Sequence, residues 1–135
     1  MGLRRPKPRL GIYEKPFWDF IQQRELRLQC CAACAHLRYP PSAVCPRCLA
    51  SEYVWNKTSG RGRLISWTVF HRQYFPELPV PYTVASVQLE EGPMLIANLL
   101  EIEPGAARLD MPVHVVFEEA QGADGSWLIY QFVPD

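Results

Sequence analysis

Two Cys-x-x-Cys pairs, Cys31-Ala-Ala-Cys34 and Cys45-Pro-Arg-Cys48, stand ten residues apart in this chain. Each such turn aims two thiolates at one point. A tetrahedral ion with bonds of about 2.3 Å to sulfur needs two of these turns facing each other. The intervening stretch, "AHLRYPPSAV", supplies enough chain for that excursion, so the pattern predicts a zinc ribbon. A redox dithiol needs only one pair, and the second argues against it. Four thiolates also suit a single iron. Four protein ligands leave no position for water or substrate, so the expected metal is structural and not catalytic. The fifth cysteine, Cys30, adjoins Cys31 and is expected to point elsewhere as a bystander. His36, two residues past Cys34, is a weak candidate for a replacement ligand.

The surroundings fit one small metal-stapled protein. A chain of 135 residues has the length of one compact domain, or of a small domain with an appendage. Its apolar runs are only a few residues long, as in Met94 to Ala97, too short to cross a bilayer. The basic start "MGLRRPKPRLG" is followed by no apolar stretch of the signal-peptide kind, so a cytoplasmic setting is expected. In a reducing compartment, clustered cysteines hold metals more often than disulfides.

Around the ribbon, given the bounds 30–56, the chain reads as two further parts. Residues 1–29 are expected to form an extended, mobile arm to about residue 15 and then a helix, "PFWDFIQQRELRLQ". Pro16 suits its first turn, with Asp19 near the positive end of the dipole. Phe17, Phe20, Ile21 and Arg24 fall on one face. Either the aromatics dock the helix on its own domain, or Phe17, Trp18 and Phe20 form a partner interface. Residues 57–135 read as five short strands: 62–71, 82–89, 93–102, 113–120 and 126–133. They are separated by the turn-rich stretches "PELPVP", "EEGP", "EPGAA" and "QGADGS". In the first of these strands both faces are expected to be covered. "EEGP" predicts a hairpin, and "SGRGR" the bend into the first strand. With no long helix between them, five strands predict a mainly β fold closed as an OB-type barrel.

The charges are split although the net charge is zero. Residues 1–63 carry twelve basic and four acidic side chains, a net +8; residues 64–135 carry two and ten, a net −8. The first half suits phosphate or an acidic partner, and the second repels a nucleic-acid backbone. The three histidines, His36, His71 and His114, sit in no nucleophile-elbow or zinc-protease motif. The chain therefore reads as a binding or assembly module.

From Pro16 to Pro134 the chain resembles the DUF35 family. The resemblance rests on the helix segment, "CAAC", "YPPSAVCPRC", "SGRGRLISWTVFHR", "PYTVASVQLEEGPMLIANLLEI", "MPVHVVFE" and "YQFVP". It implies an N-terminal helical part, a rubredoxin-like zinc ribbon and an OB barrel. It also implies a role as companion of a thiolase-superfamily enzyme, such as a thiolase or a steroid side-chain aldolase. There such proteins stabilise the catalytic subunit and help hold a CoA thioester, in an expected two-plus-two heterotetramer. Arg47, Arg61 and Arg63 are then candidates to face the CoA phosphates. The sequence departs from the family where Ala35 and Leu49 replace glycines after the second and fourth cysteines. It departs again where Asp110 replaces a glycine before Met111, and where Cys30 stands in place of a basic residue. Two other classes stay open: a nucleic-acid-binding ribbon and barrel, and an iron-bearing electron carrier.

Overall fold

The structure is a computed structural model, and it describes residues 3–103, 105–122 and 124–135. In chain order it contains strand β1 (Leu3–Arg4), helix α1 (Glu14–Gln22) and strands β2 (Arg27–Cys31), β3 (Leu37–Arg38) and β4 (Tyr53–Lys57). Strands β5 (Arg61–Phe70), β6 (Tyr82–Leu89), β7 (Met94–Asn98), β8 (Pro112–Gly122) and β9 (Gly125–Pro134) follow. Strands β2 to β4 make a small sheet in the order β3-β2-β4, which carries the cysteines. Strands β5 to β9, with β1 added on the edge of β8, make the larger one.

The larger sheet has the OB connectivity. β5 pairs β6 and β6 pairs β7, all antiparallel, and the Glu90–Pro93 turn joins the latter pair as expected. The start of β8 returns to β5 on one side, and β8 pairs β9 on the other from Val113 to Gly122. The barrel closes through a parallel bridge between Leu99 and Phe132, reinforced by the Leu100 N–H donating to the Phe132 carbonyl at 2.8 Å. Inside lie Leu64, Ala85, Val87, Leu95, Val113 and Phe132, none more than 1% exposed. Gly62 is dictated by this closure. A Cβ there would lie 2.5 Å from the Gln88 carbonyl oxygen, so only glycine lets β5 approach β6 so closely. A bulge at Ile65 then re-aims the strand. Beyond it Ser66, Trp67 and Thr68 are exposed, so the expectation that both faces of this strand are covered does not hold.

Two expectations for the N-terminal part also change. The helix ends at Gln22, not near residue 29. Arg24 takes a left-handed φ of 60°, and the N–H groups of Arg24 and Glu25 donate to the carbonyls of Ile21 and Phe20. That is a Schellman cap built on arginine where glycine is the usual residue. The chain then reverses, Leu26 is buried just ahead of β2, and Leu28 and Gln29 are buried in the small sheet. The arm is likewise seated on the barrel. β1 pairs in parallel with β8 at Ala120 and Gln121, and the Arg5 N–H donates to the Gln121 carbonyl at 3.1 Å.

Phe17 joins the parts. At 1% exposure it packs against Tyr39 of the ribbon and Tyr130 of the barrel, with ring centroids 5.4 and 5.8 Å away. The two tyrosine hydroxyls meet at 3.0 Å, and the Tyr130 hydroxyl donates to the Ile96 carbonyl at 3.1 Å. Burial raises the pKa of both, so they stay neutral hydroxyls. Phe17 is therefore inside this chain's own core and is not available as a contact surface. A Phe17→Ala variant removes a fully buried ring from the junction of helix, ribbon and barrel. It should lose about 3–5 kcal/mol of unfolding free energy in a denaturant titration, and a loss under about 1 kcal/mol counts against this packing role.

Candidate metal centre

The two cysteine turns repeat one geometry. The Cys31 N–H donates to the His36 carbonyl and the Cys45 N–H to the Ala50 carbonyl, both at 2.9 Å. The Ala35 N–H donates to the Cys31 carbonyl and the Leu49 N–H to the Cys45 carbonyl, also at 2.9 Å. Each loop closes through a left-handed residue, Ala35 at φ 64° and Leu49 at φ 66°. These are the positions where the sequence departs from glycine, and each holds a side chain in a conformation that costs about 1–2 kcal/mol. Asp110, the other departure, also has a positive φ, of 65°.

The sulfurs of Cys31, Cys34, Cys45 and Cys48 all lie within 4.8 Å of one another. The Cys31–Cys48 and Cys34–Cys45 pairs are 3.5 and 3.6 Å apart. A tetrahedral ion with bonds of about 2.3 Å to sulfur places its ligands about 3.8 Å apart. A disulfide would bring them to about 2.05 Å. The donor set and its size therefore fit a four-thiolate metal centre, and all four positions are filled by protein. When bound, such a metal supplies cross-linking of the ribbon and no open coordination site.

The thiols do not ionise alike. The Cys31 thiol is lowered, chiefly by the backbone N–H of Cys34. Burial pushes Cys45 up, but the N–H groups of Cys48 and Arg47 and the adjoining sulfurs bring it down to about 6. The His36 N–H draws Cys34 down, yet burial and its three sulfur neighbours push it up to about 12. Metal entry at neutral pH must therefore expel at least the Cys34 proton, so affinity rises with pH. Cys30 lies outside the cluster, its Sγ 3.5 Å from the Ala35 carbonyl oxygen. His36 is not among the clustered ligands.

Beneath the ribbon lies a polar clasp that the sequence did not announce. Gln29 is fully buried and Arg38 is 4% exposed. The Gln29 Oε1 accepts from Arg38 Nε at 3.1 Å and from the Ser42 N–H at 2.8 Å. The Gln29 Nε2 and an Arg38 terminal nitrogen both donate to the Ser42 carbonyl. Arg38 also lies over the Tyr53 ring at 5.1 Å. This clasp fixes the loop carrying the second cysteine pair. Burial of a glutamine and an arginine in sequence-distant register leaves no periodic signal.

The other candidate residues spread over the surface. Arg61 and Arg63 share one face of β5. Arg61 pairs with Asp135 at 3.8 Å and Arg63 with Asp110 at 3.4 Å, both side chains more than half exposed. Arg47 sits on the second cysteine turn, and no hydrogen bond or ion pair joins it to the other two among the described residues. Phe20 packs on Trp55 at 5.7 Å beneath Arg27, and Trp18 on Tyr130 at 5.9 Å, both half-buried. His114 Nδ1 lies 2.7 Å from Asp135 Oδ1, and His71 is exposed. Among the described residues no helix is long and apolar enough to cross a membrane.

Two variants test the centre. Cys45→Ser should bind less than one metal per chain by elemental analysis and lose ribbon structure. Leu49→Gly removes the left-handed strain and should raise metal-bound stability by about 1 kcal/mol. A destabilised glycine variant contradicts the strain assignment.

Comparison with known proteins places this geometry in a family. Residues 18–54 match the rubredoxin-like zinc ribbon domain of ChsH2, and residues 55–118 match the ChsH2 C-terminal OB-fold domain. A protein of Thermomonospora curvata named "Probable enoyl-CoA hydratase alpha subunit" is 38% identical over 117 residues, 86% of this chain. The chain spans only 36% of that relative's length. A DUF35 domain-containing scaffold protein of Pyrococcus furiosus is 34% identical over 107 residues, 73% of this chain and 76% of that protein. A chain of the solved Ltp2-ChsH2(DUF35) aldolase superposes with a TM-score of 0.86 at 33% identity, covering 95% of this chain and 98% of that one. With ribbon and barrel both matched in order, and a scaffold relative covered over most of its length, the chain belongs to the DUF35 family.

Proposed function

We propose that this chain is a non-catalytic subunit that binds and stabilises a thiolase-superfamily enzyme, a thiolase or a retro-aldolase, and helps form its site for a CoA thioester. One observation carries the reading: nearly the whole of both chains is used in the superposition on the DUF35 chain of an aldolase assembly. The metal centre supports a structural role, since protein fills all four of its positions. The surface supports a docking role. Leu49, Ile96, Met94 and Tyr74 are each more than half exposed, and a docked partner would have apolar side chains to cover. In this reading Trp18 and Phe20 flank the interface, and Phe17 only holds the helix that presents them. The metal in this reading is zinc, and the complex holds two copies of each chain.

Arg61, Arg63 and Arg47 are the groups for the CoA phosphates. Their ion pairs are absent or long and solvated, worth little, and are readily exchanged for a phosphate. The net −8 of residues 64–135 opposes binding of a nucleic-acid backbone instead.

Co-expression with a thiolase-superfamily protein encoded beside it should give a complex that elutes at the mass of two copies of each chain. A partner that is soluble and active alone, with this chain eluting separately, overturns the proposal. Within the complex, Arg61→Ala with Arg63→Ala should raise KM for acyl-CoA about fivefold at nearly unchanged kcat. An unchanged KM removes the phosphate role but leaves the docking role standing.

A further inference from the structure

Arg38 is a buried cation with no anion of its own. Its side chain is almost fully enclosed, and it forms no ion pair with a carboxylate among the described residues. Its partners are uncharged: the Gln29 side chain, the Ser42 carbonyl and the Tyr53 ring. The remaining terminal nitrogen is shut off from solvent and has no acceptor among the described residues. Taking a guanidinium out of water is costly unless an opposite charge compensates it, and two neutral acceptors and one ring do so only in part.

The strand pairing sets this cation beside the cysteine cluster. Arg38 of β3 lies opposite Gln29 of β2, and strand alternation makes Cys31 the next residue on that face, about 7 Å along. Tyr53, whose ring Arg38 covers, lies opposite Cys31 itself. Ser42, whose carbonyl accepts from Arg38, stands three residues before Cys45. The guanidinium is thus bracketed by the chain leading into each cysteine turn. A divalent ion held by four thiolates carries a net charge of −2. Arg47, on the second turn, is exposed, so water and salt screen its charge. Arg38 is the cation that they do not screen.

We propose that Arg38 is the counter-charge of the metal centre and biases it toward a divalent ion, whose four-thiolate complex is a dianion, over a trivalent one. This rests on the four-thiolate reading of the cluster and extends it from holding a metal to selecting its charge. Each side of the pair then compensates the other: the cation offsets the excess negative charge of the thiolates, and they offset the burial of the cation. The bonds to Gln29 and Ser42 hold the guanidinium in place for that role. The inference does not depend on any partner enzyme.

The test is the reduction potential of the full chain loaded with iron as a one-electron probe, because its ferric and ferrous four-thiolate complexes differ by one negative charge. Arg38→Met keeps a long side chain over Tyr53 and removes the cation. It should shift the equilibrium toward the ferric state about tenfold, a potential lower by about 59 mV. Arg38→Lys keeps the charge without the planar fork and should stay within about twofold of the parent. Gln29→Glu sets a carboxylate against Arg38 with little change of shape and should shift the equilibrium toward the ferric state at least about twofold. The sign separates charge from structure. Water admitted by a loosened loop favours the more highly charged ferrous complex and raises the potential. A raised potential in Arg38→Met, equal shifts in Arg38→Met and Arg38→Lys, or a shift under about twofold in Gln29→Glu overturns the proposal. Should Arg38→Met fail to fold, the Gln29→Glu result decides alone. A parent chain that takes up neither iron nor zinc overturns the metal reading together with this one, whereas unshifted variants overturn only this one.

Discussion

The side chain of Phe17 touches helix, ribbon and barrel at once, and the relative placement of the three depends on that contact. Its ring meets Trp18 at 5.5 Å, Tyr39 at 5.4 Å and Tyr130 at 5.8 Å, mostly edge to face. Such pairs add about 0.5–1.5 kcal/mol each to the gain from burial. The Tyr39–Tyr130 hydroxyl pair then fixes the angle, because a hydrogen bond tolerates less displacement than an apolar contact. A short helix with only Phe17 and Ile21 buried has little stability alone. Here it acts as a wedge between two small sheets.

The cysteine cluster acts one level below. A three-stranded sheet with strands of two and five residues cannot bury a core of its own. Four thiolates on one ion replace the missing core, and the Gln29–Arg38–Ser42 clasp orders the loop between the two cysteine turns. The ribbon accepts strain at Ala35 and Leu49 because metal coordination far outweighs it. The result is a rigid support for Arg47 and the exposed Leu49, set by Tyr39 against the barrel that carries Arg61 and Arg63. In the proposed complex this rigidity is the chain's contribution, as a subunit that positions groups for chemistry done elsewhere.

How much of this was legible follows from how local each signal is. The cysteine turns were legible because spacing alone dictates where the thiolates point. β6 was legible to the residue, since its alternation is bounded by Pro81 at one end and the Glu90–Pro93 turn at the other. The end of α1 was not, because an arginine adopts the left-handed cap and Leu26 and Leu28 continue an apolar pattern that suits helix or strand. The seating of the arm was not legible either. It rests on backbone pairing with Ala120 and on the Arg5–Asn98 contact, 93 residues apart in sequence. Phe17, Trp18 and Phe20 looked equivalent in the sequence, and only the packing separates the buried ring from its two half-buried neighbours. The family resemblance supplied the barrel and ribbon together, which composition and alternation alone give only as a class.

In this account the Phe17 junction makes ribbon and barrel one rigid body, which presents a single composite surface. Residual dipolar couplings of the metal-loaded chain in a weakly aligning medium test it most directly. Couplings from β2–β4 and from β5–β9 should fit one common alignment tensor on this structure. Two distinct tensors, with smaller magnitude for the ribbon, would show the parts moving independently and contradict the account.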